Sequence, residues 1–115
     1  MSPATHEDAQ LLIQLAQWST SLGVHDAMPA IFSEGFDPDT AEAMDLPVRT
    51  MLAFGETIGT LVKHNLINAE LVHDWLWLGG VWARVGPSAM KLRAQLGEPR
   101  LYENFEALVA ADPPA

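Results

Sequence analysis

Cysteine is absent from the 115 residues, and that one gap excludes disulfides, thiolate zinc sites and cysteine nucleophiles together. A reducing compartment, the cytoplasm, is the expected setting. Lysine and arginine are scarce, 6 against 15 acids, which leaves a net charge of −9. Phosphate backbones repel such a surface and no basic cluster offsets it, so no nucleic acid is expected as a partner. The acids are dispersed rather than arrayed, which solubility explains more simply than mimicry of a nucleic acid. Long apolar runs are missing too. The richest, Leu71 to Val85, is interrupted by His73, Asp74 and Arg84, and it falls short of the roughly 20 residues a membrane span needs. No membrane partner is expected. The acidic start MSPATHEDAQ carries no basic region leading into an apolar stretch, so no signal peptide is expected either.

Catalytic signatures are equally thin. There is no G-x-G-x-x-G, no Walker loop and no H-E-x-x-H. Ser19, Ser21, Ser33 and Ser88 stand in no elbow motif, and His25-Asp26 is a neighbour pair rather than a triad. Glu70-x-x-His73 has the i, i+3 spacing of carboxylate-bridged di-iron bundles, but those need a second such motif and the chain has none. His6, His25 and His64 share no metal-ligand spacing. No catalytic residue, metal or cofactor is assigned, and the balance leans away from an enzyme.

What the chain does contain is helix. Hydrophobic residues make up 49% of it, enough for one self-sufficient domain over residues 1–115, with a Pro-rich tail expected to fray over 111–115. Alternation of period two is missing, so no strand is predicted. A first helix is expected to start near Ser2 or Thr5, bury Leu11, Leu15, Trp18 and Leu22, and stop at Gly23. A short piece is expected over 26–34, with Pro29 in its first turn, and another acidic piece from Asp37-Pro38 to before Leu46-Pro47. Pro47 to His64 reads as the central helix, with Val48, Met51, Gly55, Ile58, Gly59 and Val62 on one stripe that Phe54 and Leu61 widen. Asn65 can end it left-handed and Asn68 can cap the next helix, a spacing that predicts an antiparallel helical hairpin.

Beyond that turn the spacing predicts one unbroken helix from Asn68 to Val85, then a kink or restart at Gly86-Pro87. A following segment carries Ala89, Leu92 and Leu96 up to Gly97, and a last helix carries Leu101, Phe105 and Leu108 between Tyr102 and Val109. The fold expected is therefore a compact all-α bundle of four main helices with short helical pieces between residues 26 and 44.

On the unbroken helix, Leu71, Trp75, Leu78, Trp82 and Val85 share one face, while Trp77 falls on an arc with Glu70, His73 and Arg84. A tryptophan on a polar arc is either folded over a neighbour such as Arg84 or part of a contact surface. The interface expected on the second reading comprises Trp77, Val81, Arg84 and His73. Gly55, Gly59 and Gly79 lie on apolar faces at a cost of about 1 kcal/mol each relative to alanine. They suggest close helix approach, with the central helix crossing the Trp-rich one. The alternative is a ligand hollow lined by Trp75, Trp82, Phe54 and Met51. Arg93, on the same face as Ala89 and Leu96, either snorkels outward or shares a buried ion pair with Glu56.

The order of Phe54-Gly55-Glu56, Asn65-Leu66-Ile67-Asn68, Trp82, Pro87, Arg93 and Phe105-Glu106-Ala107-Leu108 resembles an uncharacterised bacterial family of small helical proteins classed as a domain of unknown function. The resemblance covers residues 47–110, implies a helical hairpin followed by a terminal helix, and carries no activity to transfer. The leading functional expectation is a non-catalytic interaction module that forms a homo-oligomer, a dimer first, through the Trp77 face. The alternatives are a small-molecule binder or unrecognised enzyme using the Trp75/Trp82 hollow, and a module that engages a basic protein partner through its acidic surface.

Overall fold

A computed structural model describes residues 3–111. Among these the chain is all-helical, with no strand and six helices: α1 (His6–Leu22), α2 (Val24–Ile31), α3 (Leu46–Lys63), α4 (Ala69–Trp75), α5 (Leu78–Leu96) and α6 (Glu103–Ala110). Ser2 as a helix start and the fraying of residues 112–115 lie outside the described residues.

Thr5 opens α1 with a capping box: its hydroxyl accepts from the Asp8 N–H, and the Asp8 carboxylate accepts from the Thr5 N–H. Gly23, at φ 96°, ends α1 and begins α2 in one residue, a conformation that only glycine adopts cheaply. α2 therefore starts earlier than expected and finishes at Ile31, with Pro29 inside it rather than in its first turn.

The centre is α3. Val48, Met51, Leu52, Phe54 and Ile58 are all essentially sealed from solvent, and at roughly 1.5–3 kcal/mol for each large side chain buried this helix is what the others assemble around. Phe54 sits between Trp18 and Trp75, its ring centroid 5.9 Å and 6.1 Å from theirs. α3 packs most extensively on α6, next on α2, then on α5. The turn at Asn65 is left-handed as expected (φ 57°) and Asn68 caps α4 through the Leu71 N–H at 2.8 Å. The helix that follows this turn is shorter than expected: α4 has seven residues.

Three further boundaries differ from the sequence reading. The stretch from Asp37 to Asp45 is not a helix but a set of turns. The Asp37 carboxylate accepts from the Asp39 N–H there, so a side chain competes for backbone bonds. This segment is held from α5, whose Ser88 hydroxyl and Lys91 ammonium both donate to the Ala41 carbonyl, at 2.9 Å and 2.7 Å. Across Gly86-Pro87 the helix neither ends nor restarts; Pro87 is simply inside α5, whose buried Gly86 lies under the Trp82 indole. α6 begins only after Tyr102, which takes the left-handed φ of 59°, so Leu101 and Tyr102 precede the helix.

The largest departure is the break at Leu76-Trp77. Leu76 is extended (φ −124°, ψ 139°), so no continuous helix runs from Asn68 to Val85. The physical cause is side-chain placement. Leu76 packs against the core and Leu78 is buried in it, and residues two apart share a face in extended chain but not in a helix. Gly79 and Gly80, poor helix formers, do little to resist the interruption.

Candidate functional site

Two surfaces have the character of binding sites. The first is an aromatic pair at the α4–α5 break. Trp77 occupies the N-cap position of α5 and is 73% exposed. Its indole lies over Gly80, where an added Cβ would strike the ring, and stacks on Phe32 at 5.6 Å with the planes 9° apart. Phe32, just past α2, is 38% exposed. Arg84 backs this pair: its guanidinium carbon stands 6.0 Å from the Phe32 ring and 5.1 Å from that of Phe36.

The expected interface set is thereby revised. Trp77 is at the surface, but through its place at a helix junction rather than on a polar helical arc. Val81 is 3% exposed and belongs to the core. Arg84 spends its fork on backbone, Nε donating to the Ile31 carbonyl at 2.7 Å and Nη2 to that of Phe36 at 3.2 Å. The first bond satisfies the last carbonyl of α2, where a cation is also favoured by the helix dipole, and the second ties down the chain beyond the helix. His73 is half-buried on α4 and faces the second surface.

That second surface is a groove of about 1010 Å³ between α3, α4 and α6. α3 contributes Gly59, Val62 and Lys63, α4 contributes Ala69, Glu70, His73 and Asp74, and α6 contributes Ala107 and Leu108. Arg100 and Glu103 stand at one end, Arg100 donating to the Glu103 carboxylate at 2.8 Å and 3.0 Å. That hydrogen bond, with the added attraction of the charge, holds Glu103 below the usual carboxylate range and raises Arg100. Among the described residues no hydroxyl or thiol lines the groove, so these offer no serine- or cysteine-type nucleophile there. Glu70 and His73 share its wall, yet no group of three or more His, Asp or Glu that could hold a metal occurs among the described residues.

α6 lies close against α3 beside the groove. A Cβ at Gly55 would collide with the Phe105 ring and one at Gly59 with the Asn104 carbonyl, so the glycine pair is a close-approach device as expected. Its partner is α6, not the Trp-rich segment. Glu56, one residue beyond Gly55, locks the contact. Its Oε1 accepts from the N–H groups of Asn104 and Phe105, both at 3.0 Å, and its Oε2 from Asn104 Nδ2 at 2.9 Å. A carboxylate from one helix thus caps the N-terminus of another.

The expected Glu56–Arg93 pair does not form. Arg93 donates to the Glu106 carboxylate at 3.1 Å and to the Leu101 carbonyl at 2.7 Å, because α6 and the turn before it stand where Glu56 was expected. The four residues of the expected hollow are also distributed differently. Met51 and Phe54 are buried, Trp75 packs edge-on against Phe54, and Trp82 packs against Phe105 at 4.9 Å. None of the four lines the groove. Sequence reasoning missed Lys63, Ala107 and Leu108 as groove residues; the Gly55-x-x-x-Gly59 spacing was the available signal, and it did not name its partner.

Among the described residues no helix is long and apolar enough to cross a membrane. A family model described as a domain of unknown function, DUF4760, matches residues 4–111, so the likeness read over residues 47–110 extends through the N-terminal helices. No curated protein and no solved structure matches the chain.

Proposed function

The chain belongs to the DUF4760 family, a domain of unknown function, and from that premise we propose that it is a non-catalytic helical interaction module that pairs with a second copy of itself through Trp77 and Phe32. The observation that supports this reading is the 73% exposure of Trp77 in a stacked, backed aromatic pair. A large indole in water forfeits the stabilisation that burial would bring, and tryptophan is over-represented among residues that dominate interfaces. A flat aromatic pair is self-complementary, and a two-fold arrangement lays the same patch of both copies together. The two rings are already stacked in the single chain, an arrangement that lowers the ordering cost of association.

Light scattering tests this. The wild-type chain is expected to approach twice the 12.6 kDa of one protomer as its concentration rises. Trp77→Glu is expected to return it to 12.6 kDa. Two copies that each carry −9 repel, so added salt should tighten self-association, whereas binding to a basic partner would weaken. A wild-type monomer at all concentrations, or a Trp77→Glu dimer, defeats the reading.

A further inference from the structure

The groove between α3, α4 and α6 is separate from the aromatic pair, and its chemistry is of a different kind. We propose that it binds a short oligopeptide with free termini and apolar side chains. Size is the first consideration. At about 1010 Å³ the groove stands at the upper end of the 300–1,000 Å³ typical of small-molecule sites, larger than a single amino acid requires. Relief is the second. Ala69 and Ala107 keep parts of the wall low, while Val62 and Leu108 supply apolar contact, so backbone and modest side chains both fit against it.

Charge selects the class. Lys63, in the last turn of α3, is exposed and makes no hydrogen bond or ion pair with any described residue, although Glu103 lies within range of its charge. Glu70 and Asp74, one turn apart on α4, are exposed and likewise uncommitted among the described residues. One wall therefore offers an ammonium and another offers two carboxylates, with apolar surface in the same groove. A fatty carboxylate would satisfy Lys63 and set its tail against two acids. A simple cation would satisfy the acids and leave Lys63 unanswered. A peptide with free ends carries the complement of both walls, its carboxylate to Lys63 and its α-ammonium to Glu70 and Asp74.

Isothermal titration calorimetry with Ala-Leu-Ala, and with its N-acetylated and C-amidated forms, tests the assignment on the full chain. The free peptide is expected to bind, and each cap to weaken it by tenfold or more. Lys63→Ala should abolish the penalty for amidation and leave that for acetylation; Glu70→Ala with Asp74→Ala should do the reverse. Trp77→Glu should leave all these affinities unchanged, which separates this site from the self-association surface. Absence of binding by the free peptide at millimolar concentration overturns the proposal. So does equal affinity for the doubly capped form, a comparison that needs no variant.

Discussion

Replacing Glu56 by alanine removes the acceptor of three hydrogen bonds at the start of α6, two from backbone N–H groups and one from the Asn104 side chain. Each bond to a charged group contributes about 1.5–3 kcal/mol, and a lost helix cap costs about 0.5–2 kcal/mol. The three do not simply add, because Glu56 is half-buried and water partly replaces it on the freed groups. A loss of roughly 2–4 kcal/mol is expected, a sizeable share of the ~5–15 kcal/mol that holds a domain of this kind together. In urea, with a slope of about 2 kcal/mol per molar, the midpoint should fall by about 1–2 M with the slope unchanged. Glu56→Gln keeps an oxygen for the two backbone donors but sets its NH2 against Asn104 Nδ2, and should cost only about 1 kcal/mol. The partner is identified by double-mutant cycles. Glu56→Ala and Asn104→Ala should couple by at least about 0.5 kcal/mol, more strongly than Glu56→Ala and Arg93→Ala. A Glu56→Ala variant within about 0.5 kcal/mol of the parent refutes the cap, and additivity with Asn104→Ala refutes the side-chain bond to Asn104.

Two glycine substitutions should have opposite signs. Gly59→Ala drives a methyl into the Asn104 carbonyl, which is backbone and cannot swing away, so a loss of about 1–3 kcal/mol is expected. Gly79→Ala meets nothing within 4 Å and should gain about 0.5 kcal/mol through helix propensity; thermal unfolding of both variants checks the contrast, and a shared sign contradicts it. Acid should loosen the N-terminal cap. The Thr5 N–H chiefly holds Asp8 below its ordinary 3.8; desolvation, the next effect in size, opposes it, and the Thr5 hydroxyl and the Asn68 N–H add smaller lowering effects. A depressed folded-state value means the contribution is complete above 3.8 and is lost as pH falls from there through the lower folded value. Asp8→Asn should therefore flatten the acid limb of stability against pH, and an unchanged limb in urea titrations across that range would contradict this origin.

Local chemistry is what the sequence expressed well. Thr5 with Asp8, Gly23, Asn65 with Asn68, and Gly97 each act within a few residues of themselves, and each ends or begins a helix where its side chain or its conformational freedom predicts. The apolar stripe of α3 and the close approach at Gly55 and Gly59 were also legible, because helical periodicity reports which face is buried. Which helix fills that face is a different kind of fact.

Only the folded chain decided that α6 packs there, that Glu56 caps it, and that Arg93 consequently turns to Glu106 and the Leu101 carbonyl. The same holds at Leu76. Periodicity alone continued the helix, whereas the core took both Leu76 and Leu78, and that choice broke α4 from α5 and left Trp77 at a junction. Side-chain pattern along one segment carries its own burial. Partners are set by the simultaneous packing of segments some fifty residues apart, which no local pattern encodes.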